Sequence, residues 1–446
     1  MKVLKFGGTS VGTAKSIRQV VEIVTRINEP KVVVLSAVSG TTNSLVEINN
    51  CIESINKDKA LLIVHQLHNS YLNLISELFK SVEYKERARS FIAAKFNGIK
   101  TIIESNEQEN TENIIVAQGE ILSTNLVQLY LEESEVSSSL ISALDFMEVD
   151  VNNEPVIDVI TQNLTPVLEN NKRQNLWITQ GFICKDLSGE ISNLQRGGSD
   201  YTASLIGAAI DAREIQIWTD IDGMHNNDPR YVENTFSIKE ISFDEAAELA
   251  YFGAKILHPQ SLIPAKENNI PVWLKNTFNP SSNGTIIRNK TVNNGVTAIA
   301  AKDGITAIKI KSYRMLMAYG FLKKVFEVFE KYQTPIDMIT TSEVAVSLTI
   351  DDTSNLNAIL EELNPFGKIE VDSNLSIVCV AGDFSQNKEG ISATVFNSLK
   401  DIPIRMISYG GSNYNTSLLV KTGHKIAALN ALNTGLFQEK LILQEV

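Results

Sequence analysis

Near its amino terminus the chain reads KVLKFGGTSV (residues 2–11), an apolar run that stops at two adjacent glycines. The run Val3–Phe6 is predicted as a buried strand, and the apolar residues between Ile17 and Ile27 recur at helical spacing. Adjacent glycines where a strand meets a helix let backbone N–H groups approach a phosphate closely, and Lys5 would add a cation. A tight turn with a solvated lysine explains this stretch equally well when it is taken alone.

The strand-then-helix order continues through residues 1–290. Val32–Leu35 is a continuous apolar run, typical of a strand that is buried on both faces of a parallel sheet. A capping box at Ser242 and Glu245 predicts a helix that runs to about Leu257. The other predicted elements are strands at Ile114–Ala117, Trp177–Phe182 and Ile215–Thr219 and helices within 58–105, 120–133 and 202–210. This alternation predicts a doubly wound α/β domain with a mainly parallel sheet.

The pattern changes after residues 276–295, which are polar and lose periodicity. Beyond them the segment PIDMIT (335–340) reappears as PIRMIS (403–408). Both copies follow an amphipathic helix, and both precede a second predicted strand that ends in Ser-Leu (347–348 and 417–418). A repeat of this kind indicates two copies of one βαββαβ-like unit.

Length and composition limit the possible functions. With 446 residues the chain is expected to form roughly two to four domains. The formal net charge of −12 argues against a nucleic-acid binder, which would carry a basic patch. Three widely spaced cysteines without a CxxC pair indicate a reducing compartment and neither a metal site nor a disulfide. The sequence shows no signal-peptide pattern and no apolar stretch of about 20 residues, so we expect a cytoplasmic protein without membrane spans.

A second glycine-rich stretch, RGGSDYT (196–202), repeats the combination of glycines, hydroxyls and a predicted helix start. It adds the carboxylate of Asp200 and the guanidinium of Arg196, which can hold a carboxylate through two parallel hydrogen bonds. Helix capping by Asp200 or Ser199 would explain the stretch if it stood alone. Glu120, in QGE (118–120) at a predicted helix start, could bind an ammonium group, although first-turn glutamates usually only complement the helix dipole.

The sequence holds neither a Walker A loop, nor GxGxxG, nor the catalytic motifs of protein kinases. His65 and His68 share a predicted helix face without a third ligand, so no protein metal site is predicted. Two glycine-rich junctions in one sheet, one with a lysine and the other with an Arg/Asp pair, indicate a phosphoryl-transfer site.

Seven segments together resemble the aspartate kinase branch of the amino-acid kinase family. They follow the family's order and spacing over nearly the whole chain: KFGGTSV (5–11), VVVLSAVSGTTN (32–43), QGE (118–120), RGGSDYTA (196–203), WTDIDG with DPR (218–230), FGAKILHP (252–259) and ITTSEVAVSLTID (339–351). The resemblance implies the amino-acid kinase fold and ATP-dependent phosphorylation of the aspartate side-chain carboxylate, the first step towards lysine, threonine and methionine. The lack of a recognisable general base fits this chemistry, because the acceptor is already ionised at neutral pH.

The resemblance also implies a role for individual residues. Lys5 would stabilise charge on the transferring γ-phosphoryl, and Asp200 would orient Lys5 and the phosphate. Arg196 would hold the α-carboxylate of aspartate and Glu120 its α-ammonium. The implied lining of the substrate pocket is Ser36, Thr42 and Ser199. The implied contacts of ATP, whose phosphates Mg²⁺ would bridge, are Lys5, Gly7, Gly8, Thr219, Asp220, His225, Arg230 and Lys255, with His225 at a position where family members often carry Tyr.

The C-terminal repeat resembles the tandem ACT domains of monofunctional, lysine-sensitive members. The implied limits are 1–290 for the catalytic domain, 305–375 for the first ACT domain, and 296–304 with 376–446 for the second. The implied effector residues are Met315, Gly320, Asp337, Ser342 and Glu343. Met317 and Ala318 replace a His-Ser pair and Pro335 replaces a serine, which leaves two candidate effectors, lysine first and threonine second.

ACT domains usually pair between subunits, so the resemblance implies a homodimer or tetramer. Two other hypotheses stay open at this point. The same fold could act on another acceptor such as glutamate, or the chain could sense an amino acid without catalysis.

Overall fold

The computed structural model describes residues 1–105, 110–170, 174–194, 197–253, 257–289, 295–312, 319–384 and 390–442. Contacts divide the chain into two compact units. The first comprises Met1–Met224, Ser237–Phe243 and Leu257–Lys290, and the second comprises His225–Phe236, Asp244–Ile256 and Thr291–Val446. The domain limits expected from the sequence stay a prediction, because a division by contacts does not define evolutionary domains.

The first unit is an α/β structure. Its strands are β1 (Lys2–Phe6), β2 (Lys31–Leu35), β3 (Ser139–Leu140), β4 (Leu176–Gln180), β5 (Ile183–Lys185), β6 (Ile191–Asn193), β7 (Glu214–Thr219), β8 (Glu240–Ser242), β9 (Val272–Asn276) and β10 (Thr285–Arg288). The helices up to this point are α1 (Ala14–Arg26), α2 (Thr41–Glu53), α3 (Lys57–Leu78), α4 (Val82–Glu104), α5 (Thr111–Glu133), α6 (Ile157–Asn170), α7 (Gly198–Ala209), α8 (Phe243–Tyr251) and α9 (Ile263–Glu267). All but the first residue of α8 belongs to the second unit.

The main sheet has the strand order β3-β4-β2-β1-β7-β9-β10-β8. Every neighbouring pair is parallel except β9 with β10. This confirms the predicted, mainly parallel sheet. Because β1 lies between β2 and β7, the carboxyl ends of these three strands place Lys5, Ser36 and Thr219 at the same edge.

One predicted strand was wrong. Residues 114–117 lie inside α5, which runs without interruption from Thr111 to Glu133. A short apolar run does not distinguish a buried strand from a turn of a buried helix, and here both faces of the helix are covered. Glu120 was predicted to lie at a helix start. Because α5 already begins at Thr111, Glu120 lies instead in the third turn of this helix.

Helix α5 is long and apolar enough, by length and composition alone, to cross a membrane, and among the described residues it is the one helix of this kind. Within the first unit 61% of its apolar stretch is buried. Leu122, Leu126 and Val127 lie in the core against residues of α2–α4. The helix therefore packs as a core element of this unit.

Helix α8 is shorter than predicted, since it ends at Tyr251 and not near Leu257. Gly253 follows with a φ of +125°, a conformation that only glycine adopts easily. A β-carbon at this glycine would lie 2.1 Å from the carbonyl oxygen of Ala301, so glycine is required here on steric grounds as well. Residues 254–256 lie outside the described residues.

The second unit contains an antiparallel six-stranded sheet. Its strands are β11 (Gly295–Lys311), β12 (Met338–Ser342), β13 (Ala345–Ile350), β14 (Lys368–Asp383), β15 (Ile404–Tyr409) and β16 (Asn415–Lys421), in the order β12-β13-β11-β14-β16-β15. Its further helices are α10 (Phe321–Lys331), α11 (Leu356–Leu363), α12 (Ile391–Ser398) and α13 (Lys425–Ile442). The two copies of the sequence repeat form the hairpins β12–β13 and β15–β16, which confirms the predicted internal repeat.

The long strands β11 and β14 serve both copies. The first half of β11, up to Lys302, pairs with the second half of β14, and the second half of β11 pairs with the first half of β14. Each copy has its own apolar core, one around Ile308, Val325 and Leu348 and the other around Val378 and Leu418. The chain thus returns to the second copy after completing the first.

Two helical glycines of the first unit allow a matched test of packing. A β-carbon on Gly207 of α7 would lie 2.6 Å from Cδ1 of the buried Ile215 in β7. A β-carbon on the exposed Gly98 of α4 would have no described neighbour within 4 Å outside the backbone of its own helix. We expect Gly207→Ala to lower the free energy of unfolding by about 1–2 kcal/mol through overpacking. Gly98→Ala is expected to raise it by about 0.5–1 kcal/mol through helix propensity. Denaturant titration measures the free energy of unfolding of both variants. An unchanged midpoint in Gly207→Ala would contradict the close packing of Gly207 against Ile215.

Candidate active site

The carboxyl end of β1 brings Lys5 to Asp200. The Lys5 Nζ lies 2.7 Å from Oδ1 of Asp200, and the two side chains are only 12% and 16% exposed. Lys5 lies on the central strand of the sheet, while Asp200 lies in the first turn of α7. The two glycine-rich stretches of the sequence therefore meet at one place, with a fixed cation between them.

The turn after β1 is lined by backbone amides. The Gly7 N–H donates to the carbonyl of Trp218 at 3.2 Å, which ties the turn to β7. A β-carbon on Gly8 would lie 3.0 Å from the carbonyl oxygen of Ala37, so the turn also approaches the segment after β2 closely. The residues that follow, Gly8–Val11, form a 3₁₀ turn, and α1 begins only at Ala14. The segment that directly follows β1 at this edge is thus a 3₁₀ turn and not the N-terminus of α1.

A cavity of about 300 Å³ lies beside this turn. Among the predicted residues it is lined by Gly8, Ser36, Thr42, Glu120 and Ser199. The hydroxyl of Ser36 donates to that of Ser199 at 3.0 Å, so the end of β2 and the start of α7 are joined at its wall. The structure therefore gathers into one concave site residues that the sequence separates widely.

Glu120 reaches this cavity from α5 and is only 4% exposed. Its Oε1 accepts the backbone N–H of Ala37 at 3.2 Å, whereas its Oε2 is buried without a donor among the described residues. Burial raises the pKa of Glu120 to about 7, against the opposing effect of the Ala37 amide. A buried carboxylate with one unpaired oxygen that faces a cavity suits a ligand that carries an ammonium group.

Phe182 also lines the cavity and was not predicted from the sequence. Its φ of +68° is rare for an aromatic residue, and its N–H donates to Oγ1 of the buried Thr202 at 2.8 Å. The preceding Gly181 has no room for a side chain, because a β-carbon there would lie 2.3 Å from that of Ser199. The glycine directly after a buried strand was the signal that could have drawn attention to this turn.

The predicted nucleotide contacts fall in different parts of the chain. Thr219 and Asp220 end β7 in the first unit, where the Thr219 hydroxyl donates to the Asp220 carboxylate at 3.1 Å. His225 and Arg230 belong to the second unit, where the Arg230 guanidinium lies 2.6 Å from the carboxylate of Asp228. Arg196 and Lys255, predicted to bind aspartate and ATP, lie outside the described residues.

Among the predicted effector residues, Asp337 is the most constrained. Its side chain is fully buried, and Oδ1 contacts Nζ of Lys302 at 2.8 Å and accepts the hydroxyl of Tyr251 at 2.9 Å. Burial raises the pKa of Asp337, although Lys302 opposes this effect. Lys302 also pairs with Asp351 at 2.8 Å and lies over the Tyr251 ring at 4.5 Å.

Three other predicted effector residues lie nearby in sequence. Gly320 precedes α10 with a φ of +78°, Ser342 ends β12, and Glu343 lies in the turn to β13. Met315 lies outside the described residues. A cavity of about 330 Å³ is lined by Asp337 together with Glu248, Tyr251 and residues of the β15–β16 turn.

Comparisons with known proteins agree with this geometry. A model of the amino acid kinase family matches residues 1–276, and a model of the ACT domain matches residues 378–436. The lysine-sensitive aspartokinase 3 of Escherichia coli (strain K12) is 33% identical over 98% of this chain and 99% of its own length.

Two solved structures of E. coli aspartokinase III are similar along the whole chain. The complex with aspartate and ADP, in the R-state, has a TM-score of 0.84 at 33% identity and covers 98% of this chain and 100% of that chain. The complex with lysine and aspartate, in the T-state, has a TM-score of 0.82 at 33% identity over 98% and 99% of the two chains. With the strand order, the meeting of the two glycine-rich turns and the repeated C-terminal unit, these matches show that the chain belongs to the amino acid kinase family, among its aspartokinases with ACT domains.

Proposed function

We propose that the chain transfers the γ-phosphoryl group of ATP to the side-chain carboxylate of L-aspartate, giving 4-phospho-L-aspartate and ADP. The observation that carries this proposal is the Lys5–Asp200 pair beside a cavity with the buried Glu120 carboxylate. Such a site offers a cation to a phosphate and an anion to an ammonium group. The relative from E. coli that was solved with aspartate and ADP supports the choice of substrates.

The chain's own residues would act by position and charge. An oxygen of the aspartate side chain forms a bond to the γ-phosphorus while the bond from that phosphorus to the bridging oxygen of ADP breaks, and no proton needs to leave the acceptor. Lys5 neutralises charge on the transferring group, and Asp200 holds Lys5 in place. Glu120 holds the α-ammonium, while Arg196 is proposed to hold the α-carboxylate.

The triphosphate is proposed to lie against the amides around Gly7 and Gly8. Mg²⁺ would enter with the nucleotide and supply further charge neutralisation on its phosphates. The carboxylate of Asp200, which is partly exposed beside Lys5, is of the oxygen type that Mg²⁺ prefers. The proposed contacts of Thr219, Asp220, His225, Arg230 and Lys255 with the nucleotide rest on the family resemblance.

We also propose feedback inhibition by an amino acid that binds the second unit, with L-lysine as the first candidate. The relative that is 33% identical is described as lysine-sensitive, and its T-state structure holds lysine and aspartate. Asp337 is proposed to bind the effector together with Met315, Gly320, Ser342 and Glu343. A homodimer or tetramer formed through the ACT domains, and a cytoplasmic location, complete the proposal.

Removal of the Lys5 cation should nearly abolish turnover. We expect Lys5→Ala to lower kcat by about 10²–10³-fold, because a fixed positive charge no longer faces the transferring group. Lys2→Ala is the matched control, since Lys2 lies on the same strand but pairs with Glu29 and Glu214 at the opposite end. Formation of acyl phosphate trapped by hydroxylamine, with ATP and aspartate, is the measurement. Full activity of Lys5→Ala would refute the proposed mechanism.

The raised pKa of Glu120 predicts how aspartate use depends on pH. Below a pKa of about 7 the carboxyl group is neutral and attracts the ammonium weakly, and above it the carboxylate is charged. We therefore expect kcat/KM for aspartate to rise as the pH increases from about 6 to 8. In Glu120→Gln, kcat/KM for aspartate should be lower and should no longer rise with pH. The KM for ATP measured over the same range is the control, and an identical pH profile in Glu120→Gln would contradict the assignment.

The effector proposal predicts a selective loss of inhibition. Asp337→Asn removes the negative charge that an effector ammonium would contact, so we expect the L-lysine concentration for half-inhibition to rise by about tenfold or more. Asp372→Asn is the control, because Asp372 forms an exposed pair with Arg405 in the same unit. Titrations with lysine, threonine and methionine on both variants identify the effector. Equal sensitivity of Asp337→Asn and the unchanged chain would exclude Asp337 from the effector site.

A further inference from the structure

Thr41 lies within the wall of the proposed aspartate cavity without lining it. Gly40 and Thr42, its neighbours on both sides, line the cavity, and Thr41 itself is 1% exposed. Gly40 has a φ of +82°, and the Thr41 N–H donates to the carbonyl of Val38 at 2.9 Å. The position of Thr41 therefore determines how this turn presents the Thr42 side chain to the cavity.

Two other helices pack on Thr41. From α3, the hydroxyl of Tyr71 forms a hydrogen bond with Oγ1 of Thr41 at 3.0 Å, and Tyr71 is also 1% exposed. From α5, a β-carbon on Gly119 would lie 3.5 Å from Cγ2 of Thr41 and 2.8 Å from the β-carbon of Ala37. Gly119 directly precedes Glu120, so Thr41 is held between Tyr71 and the turn of α5 that carries the ammonium-binding carboxylate.

The Tyr71 side chain is itself held firmly. Its ring packs edge-on against Phe96 of α4 at a centroid distance of 5.9 Å, and Phe96 stacks on His68 at 4.9 Å. A buried hydroxyl pair of this kind is strongly directional, because either group would lack a partner if the other moved. A rigid aromatic side chain thus fixes a hydroxyl that anchors the start of α2.

We propose that Tyr71 is a positioning residue for aspartate, which acts through Thr41 to fix the turn 36–43 against Glu120. Tyr71 does not touch the substrate. Its hydroxyl sets the distance between the side of the cavity that carries Thr42 and the side that carries Glu120. This inference rests on the proposed function of the cavity as the aspartate site.

The inference is tested with isosteric variants. We expect Tyr71→Phe, which removes only the hydroxyl, to raise the KM for aspartate about fivefold while kcat and the KM for ATP stay within about twofold. Thr41→Val should have the same effect, and the double variant should be no worse than either single variant, since both remove one bond. Thr41→Ser keeps the hydroxyl, so its KM for aspartate should stay close to that of the unchanged chain.

Tyr130→Phe is the matched control, because Tyr130 packs on Phe79 elsewhere among the same helices. Its kinetic constants should not change. If Tyr71 has only a structural role, Tyr71→Phe will have a lower melting temperature without a selective change in the KM for aspartate, and that result would overturn the inference. Additive effects of the two substitutions on this KM in the double variant would overturn it as well. If the unchanged chain fails to phosphorylate aspartate, both the proposed function and this inference are overturned. If Tyr71→Phe has normal turnover and an unaltered KM for aspartate, this inference alone is overturned.

Discussion

The ion pair between Lys5 and Asp200 is the interaction on which the site of the first unit depends. It joins the central strand of the sheet to the start of α7, and it forms only because β1 lies between β2 and β7. A lysine on a flexible stem becomes useful to a phosphoryl group when its position is fixed before the reaction begins. The carboxylate of Asp200 provides that restraint. The strand order, more than the glycine pattern of either turn, therefore creates the cation site.

The cavity beside this pair is built from groups held in costly states. Glu120 is buried with one oxygen that has no hydrogen-bond partner in the part of the chain that the structure describes, and Phe182 has a left-handed backbone conformation. Each such feature costs on the order of 1–3 kcal/mol and persists only where the surrounding structure holds it. Here the core helix α5 holds Glu120, and the buried Thr202 of α7 holds Phe182 through its hydroxyl. The unpaired oxygen of Glu120 is the clearest case, because an ammonium group would satisfy it.

Much of the fold could be predicted from the sequence. Strand β2 contains a continuous apolar run, and β1 and β7 are mostly apolar with Lys5 and Gln216 inside them. The C-terminal repeat is visible as two related segments. The strand predicted at Ile114–Ala117 failed because periodicity cannot separate a buried helix from a buried strand over four residues. Phe182 was missed because its role comes from an unusual φ and from the close approach of Gly181 to Ser199, and a single glycine after a strand indicates a turn without predicting either feature. Thr41 and Tyr71 were missed because their partnership exists only after α2 and α3 pack.

The contacts of Asp337 restrict how an amino-acid effector could act on the second unit. Its Oδ1 already contacts Lys302 and accepts the Tyr251 hydroxyl, whereas Oδ2 is buried without a hydrogen-bond partner among the described residues. An effector ammonium at Oδ1 would therefore replace one cation by another. An exchange of this kind adds no net charge pairing at Asp337. The free energy that couples effector binding to a change of state must then come from the displaced groups, since a ligand shifts an equilibrium only by its different affinity for the two states. Lys302 can retain its pair with Asp351, whereas Tyr251 would lose its hydrogen bond to Asp337. An effector ammonium at Oδ1 of Asp337 would thus change the environment of Tyr251, at the end of α8.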